Sequence, residues 1–141
     1  MSLRMVLSSQ DGKNFYPDNT PHNFRVKLNR TLQFDGYWEV ALTEIEISQE
    51  DSKDDTSLFV CSDICQDSFV GSTELSLLRR VFYEDVNGKN LIYVQPYYVP
   101  LKLRDVQQIN IYIKDESETD ASFLKKKVTV TLHFKKFPFL S

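Results

Sequence analysis

The chain has 141 residues, 41% hydrophobic and 26% charged, proportions that suit one globular domain with its own core and argue against a disordered tract, a coiled coil or a collagen-like repeat. Seventeen basic and twenty acidic side chains leave a net charge of −3, so the overall balance calls for neither a nucleic-acid nor an anionic-membrane partner. Ten Phe, seven Tyr and one Trp against four Gly and five Pro point to many half-buried strands, where flat rings pack well.

From the N-terminus, Met1 to Gln10 hold an apolar stretch too short and too interrupted for a secretory signal. No later run approaches the ~18 apolar residues of a membrane span, so a soluble protein off the secretory route is expected. Leu3–Ser8 reads as the first strand, and Tyr16–Pro21 as a stiff polar turn leading into the second. There Phe24, Val26 and Leu28 alternate with Arg25, Lys27 and Asn29, one side facing a core and the other water. Asp35-Gly36 suits a tight turn. Between Gly36 and Ser48 the apolar parity changes, from Trp38, Val40 and Leu42 to Ile45 and Ile47, and a bulge near Thr43–Glu44 would keep both halves on one core.

Ser48–Thr56 is a strongly polar loop whose Asp51, Asp54 and Asp55 lack the Gly and terminal Glu of an EF-hand. The next strand is expected over Ser57–Cys65. On it, Cys61 and Cys65 would sit about 13 Å apart, beyond the ~7 Å limit for a disulfide, so both are expected as free, inert thiols. Strands over Leu77–Glu84 and Leu91–Gln95 flank Asn87-Gly88, a hairpin signal because both residues accept positive φ. Ile109, Ile111 and Ile113 mark another strand, followed by a solvated loop over Lys114–Ala121. Val128, Val130, Leu132 and Phe134 form the clearest strand, with His133 on its polar face. About eight strands joined by unequal connections make an all-β, two-sheet sandwich, and a single jelly roll over residues 1–141 fits best. An immunoglobulin-like sandwich fits less well, because both cysteines follow Trp38 and lie four apart.

The chain carries no phosphate-binding glycine loop, no Gly-x-Ser-x-Gly elbow and no His-Glu-x-x-His. Neither cysteine has basic neighbours to activate it toward His22 or His133, and Glu44 with Glu46 is an ordinary pair on a wet sheet face. No enzymatic activity, metal or cofactor is expected. Lys125, Lys126 and Lys127, with Lys135 and Lys136, flank the last strand near Phe134, Phe137 and Phe139, where charge and aromatics interleave. Nucleic-acid contact through these lysines ranks behind the simpler reading, in which they solvate and protect the ends of the strand.

Two blocks carry a resemblance. Phe15-Tyr-Pro-Asp-Asn-Thr-Pro-His-Asn-Phe-Arg-Val-Lys-Leu28, continuing to Gly36-Tyr-Trp-Glu-Val-Ala-Leu-Thr-Glu-Ile45, resembles the opening motif of proteins encoded by Polinton/Maverick elements and adintovirus-like viruses. Leu58-Phe-Val-Cys-Ser-Asp-Ile64, Val70-Gly71, Leu77-Leu-Arg79, Tyr97-Tyr-Val-Pro-Leu101, Ile109 to Asp115 and Val128 to Phe134 are similar to the end of the same proteins. The resemblance implies a minor capsid, penton-like protein: a single jelly roll in fivefold capsomers beside a double-jelly-roll major capsid protein, located in the virion. Longer relatives carry an insertion where Ser48–Thr56 bridges the blocks in nine residues, which leaves open a cementing role or a host-domesticated copy. Under this reading Tyr97, Tyr98, Phe137 and Phe139 are the expected subunit contacts of a homo-oligomer, expected to be a pentamer. The alternative is a β-sandwich module that binds protein or carbohydrate through Tyr16–Pro21 and Asp85–Asn90.

Overall fold

The structure, a computed structural model, describes residues 2–49 and 56–137. Asp51, Asp54, Asp55 and Phe139 lie outside the described residues. Eleven strands and one helical turn follow in order: β1 (Ser2–Ser8), β2 (Asn23–Gln33), β3 (Trp38–Ile47), β4 (Ser57–Ser62), β5 (Ser68–Val70), β6 (Thr73–Leu75), β7 (Leu77–Phe82), α1 (Tyr83–Val86), β8 (Asn90–Ile92), β9 (Tyr98–Pro100), β10 (Asp105–Lys114) and β11 (Val128–Lys136). No helix among the described residues is long and apolar enough to cross a membrane.

The pairing is nested. β1 pairs with β11, β2 with β10, β3 with both β8 and β9, and β4 with β7, every pair antiparallel. One sheet therefore runs β1-β11-β3-β8 with β9 also on β3, and the other runs β2-β10-β4-β7. This is the order produced when one long hairpin rolls up into two stacked sheets, and the fold is a single jelly roll. The chain changes sheet at each step between these strands except from β4 to β7 and from β8 to β9.

Alternation puts one face of every main strand inside. Phe24, Val26, Ile109, Ile111 and Ile113 meet Val40, Leu42, Ile45, Val130, Leu132 and Phe134 across the sandwich, all buried. Phe34 stacks on Phe134 with centroids 5.2 Å apart, and Trp38 meets Phe34 edge-on at 5.0 Å while its indole N–H donates to the Asp35 carbonyl at 3.0 Å. Burial of one such ring contributes about 1.5–3 kcal/mol. The expected bulge is present. Thr131 pairs with Glu44 and Leu132 with Leu42, so Thr43 is the extra residue, its hydroxyl donating to the Thr131 carbonyl at 3.2 Å.

Three expectations need correction. The strand begun at Ser57 stops at Ser62, because the Asp63 carboxylate, not a strand carbonyl, accepts the Asn110 N–H at 3.0 Å and the chain turns there. Cys65 therefore lies beyond the strand; both thiols are free and buried. Asn87-Gly88 closes no hairpin. β7 and β8 belong to different sheets, so α1, anchored by buried Tyr83 and Val86, carries the chain across the sandwich, and Gly88 supplies φ +63° before the next sheet. Lys114–Ala121 is tethered instead of freely solvated: the Asp115 carboxylate accepts the Ser117 and Thr119 N–H groups, Glu116 accepts the Ser57 N–H, and Glu118 accepts the Thr73 hydroxyl.

The β5–β6 hairpin lies over the outer face of the second sheet, where Leu75 and Val70 join Phe59, Cys61, Leu77 and Tyr112 in a small separate apolar cluster. The registers also fix the two ends of the sandwich. Ser8, Thr129, Glu46 and Asn90 lie in one row, so the β1–β2, β7–β8 and β10–β11 connections gather at the same end.

Candidate functional site

The outer face of the β1-β11-β3-β9 sheet holds a polar and aromatic row. Arg4, His133, Ala41 and Tyr98 are successive partners across four strands. Ala41 has almost no side chain, which lets the Tyr98 ring lie across it to reach His133, with 2.7 Å between the hydroxyl and Nδ1. The Lys135 ammonium sits 4.4 Å from the Tyr98 ring centre and 5.2 Å from that of Phe137, and Phe137 packs on Tyr37 at 5.5 Å. Tyr37 in turn donates to Glu39 at 3.1 Å, and this hydrogen bond, with burial and the carboxylate charge, raises the phenol above its ordinary value. His133 is therefore a cross-strand histidine on the polar face, as the alternation predicts.

The expected contacts separate into two groups. Tyr98 and Phe137 are half-buried within the row just described. Tyr97 is 64% exposed and faces solvent beside Val94, at 93%, and Ile92, at 62%. Ile92 ends β8, Val94 lies just past it and Tyr97 directly precedes β9; among the described residues no strand pairs beyond β8. Sequence reasoning named Tyr97 and missed Ile92 and Val94. Their signal is present, since Ile92 and Val94 take the parity opposite to Leu91 and Tyr93, but both parities are apolar and alternation alone cannot rank them. The Arg79 guanidinium stacks 3.6 Å from the Tyr93 ring centre and donates to the Gln95 carbonyl at 3.2 Å, holding the segment between Ile92 and Tyr97 against the body of the sandwich.

Lys125, Lys126 and Lys127 are exposed at the end of the sandwich where β11 begins and, with Lys13, line a cleft of 420 Å³. They lie far along β11 from Phe137, so the lysines and the aromatics that interleave in sequence are separated in space. At the same end, Phe15 to Arg25 encloses a second cleft of 450 Å³, and the Tyr16 hydroxyl donates to Gln108. Asp85–Asn90 lines neither cleft; it sits over β8, at the opposite edge of the first sheet from β1.

The titratable groups are structural in character. Glu44 accepts from Asn90 at 2.7 Å and Thr131 at 3.1 Å with Arg4 at 3.8 Å, contacts that hold its carboxyl below the ordinary carboxylate value. Glu46, on the same face, is exposed. Burial pushes the Cys61 and Cys65 thiols up to about 12, so neither is a thiolate at neutral pH. No three His, Cys, Asp or Glu side chains among the described residues converge to hold a metal ion.

No protein-family model matches the sequence, and no curated protein matches it. Among solved structures, the chain is similar to the mavirus penton protein over 97% of its own length and 100% of that chain, with a TM-score of 0.44 and 5% identical residues.

Proposed function

We propose that this protein is a structural capsid subunit of the Polinton and adintovirus kind, penton-like and without catalytic activity, that joins copies of itself into a closed ring at capsid vertices beside a double-jelly-roll major capsid protein. Jelly rolls serve many functions, so the fold alone does not choose among them. The observation that carries the reading is the unfinished edge at β8. An edge strand normally carries charge or a cover, and here Ile92 at the end of β8, with Val94 and Tyr97 on the way to β9, leaves that side exposed and apolar. The sequence blocks supply the occupant, a second copy, and a ring repeats one such heterologous contact until it closes. Tyr97 is then a direct contact, while Tyr98 and Phe137 support the outer face beside it.

Size-exclusion chromatography with light scattering at tens of micromolar tests this. The wild-type chain is expected as a homo-oligomer, a pentamer in this reading, and Val94→Asp with Tyr97→Asp as a folded monomer. A wild type that stays monomeric, or an oligomer indifferent to both substitutions, refutes the contact.

The Phe15–Arg25 cleft favours one other reading, a loop-borne site for a carbohydrate or protein. Glycan-array binding by a monomer, lost on Phe15→Ala, would establish it in place of assembly.

A further inference from the structure

We propose that the cleft at the start of β11 is a binding site for a compact oligophosphate, independent of whether the chain assembles. Lys125, Lys126 and Lys127 are consecutive, and on a straight strand they would alternate between faces. Here they do not. The backbone bends at Lys126, and it is pinned on both sides: the Ser48 N–H donates to the Lys127 carbonyl at 3.0 Å, and the Lys125 N–H donates to Gln49 Oε1 at 2.6 Å. Buried Gln49 also donates to the Phe123 carbonyl at 2.9 Å, while Ser9 and Val128 exchange hydrogen bonds at 2.8 and 3.0 Å. All three lysines thus border one cleft, and Lys13 joins them from the β1–β2 connection.

Charge makes the cluster notable. The chain is net acidic, and its ion pairs among the described residues join Arg4 to Glu44, Lys102 to Asp67 and Lys114 to Asp120. None involves the four cleft lysines, and among the described residues no acidic side chain lines the cleft. Four like charges around one cleft repel one another, and a multiply charged anion relieves that repulsion at four points together.

The lining selects the class of anion. Ammonium groups act as point charges toward phosphate, without the planar fork that reads carboxylates or bases in pairs. Among the described residues no aromatic ring lines the cleft to stack a base. At 420 Å³ the space falls within the range of small-molecule sites, which suits a compact cluster of phosphates better than an extended strand.

Isothermal titration calorimetry of the full chain at low salt, with tripolyphosphate and separately with oligothymidine, tests the site. Tripolyphosphate is expected to bind and to raise the melting temperature, with both effects fading as salt rises. Lys125→Gln/Lys126→Gln/Lys127→Gln should weaken it at least about tenfold, Lys13→Gln by less, and Lys102→Gln, at the other end of the sandwich, not at all. Ligand-free melting of the cleft variants should not fall below the wild type, since these side chains are exposed and in no ion pair, whereas Lys102→Gln loses the pair with Asp67 and is read for affinity alone. Absence of tripolyphosphate binding, unchanged affinity in the triple variant, or tighter binding of oligothymidine at equal phosphate concentration overturns the proposal.

Discussion

Asp63 stands at the point where β4 leaves its sheet, and its half-buried carboxyl is pushed above the ordinary carboxylate value by burial, against the lowering effect of the Asn110 N–H. Raising the folded-state pKa means that the fold disfavours the charged form, so this group's contribution is best in acid. It is lost as pH rises from the unfolded value, ~3.9, through the raised folded one. Asp63→Asn keeps an oxygen to accept the Asn110 N–H and removes the charge. It should raise the melting temperature at pH 7 and do little near pH 3; an equal gain at both pH values would show that charge burial is not the cause. Glu44 has the opposite sign, since its carboxyl is held low by Asn90 and Thr131, and its contribution is lost as pH falls through the depressed value. Neither behaviour was legible in the sequence. A carboxylate's environment is made by strands distant in the chain: Asn110 lies on β10, Thr131 on β11, and Asn90 on β8.

Among the elements, the main strands were legible because period-two alternation reports burial of one face directly, and the Thr43 bulge because the apolar parity breaks there. The connections were harder. Asn87-Gly88 looks like a hairpin since its φ preference is local, whereas the sheet assignments of β7 and β8 are not. Gly12, unremarkable in sequence, proves structurally demanding: at φ +73° an added Cβ would lie 2.8 Å from the Arg25 carbonyl oxygen. The Gly12 carbonyl also accepts the Phe15 and Tyr16 N–H groups, closing the β1–β2 connection. Gly71 has a similar φ of +61°, but its nearest neighbour is the flexible Glu118 side chain at 3.4 Å. Gly12→Ala should therefore cost about 2–5 kcal/mol and Gly71→Ala about 1–2 kcal/mol in urea unfolding. Equal losses would mean that the close approach to Arg25 relaxes without penalty.

For the molecule as a whole, nested pairing joins Ser2 to Lys135, so almost every core contact waits on distant chain, and folding should be slow, on the order of milliseconds to seconds. The two thiols can report how that structure opens. Cys61 lies in the small cluster beneath the β5–β6 hairpin, and Cys65 in the main core. A chain retaining only Cys61, Cys65→Ala, should react with a disulfide reagent faster than one retaining only Cys61's counterpart, Cys61→Ala, because lifting the hairpin takes less than unfolding the sandwich. Equal rates would tie the hairpin to global unfolding. By itself the sequence determined the all-β class, the faces of the main strands, the bulge and the jelly-roll expectation, because alternation and parity are local records of burial. Only the tertiary structure decided that Tyr98 bridges Ala41 to His133, that Ile92, Val94 and Tyr97 share one open edge, and that four lysines border one cleft. Those juxtapositions depend on which strands become neighbours and where backbone bends are pinned, and residues far apart in the chain set both.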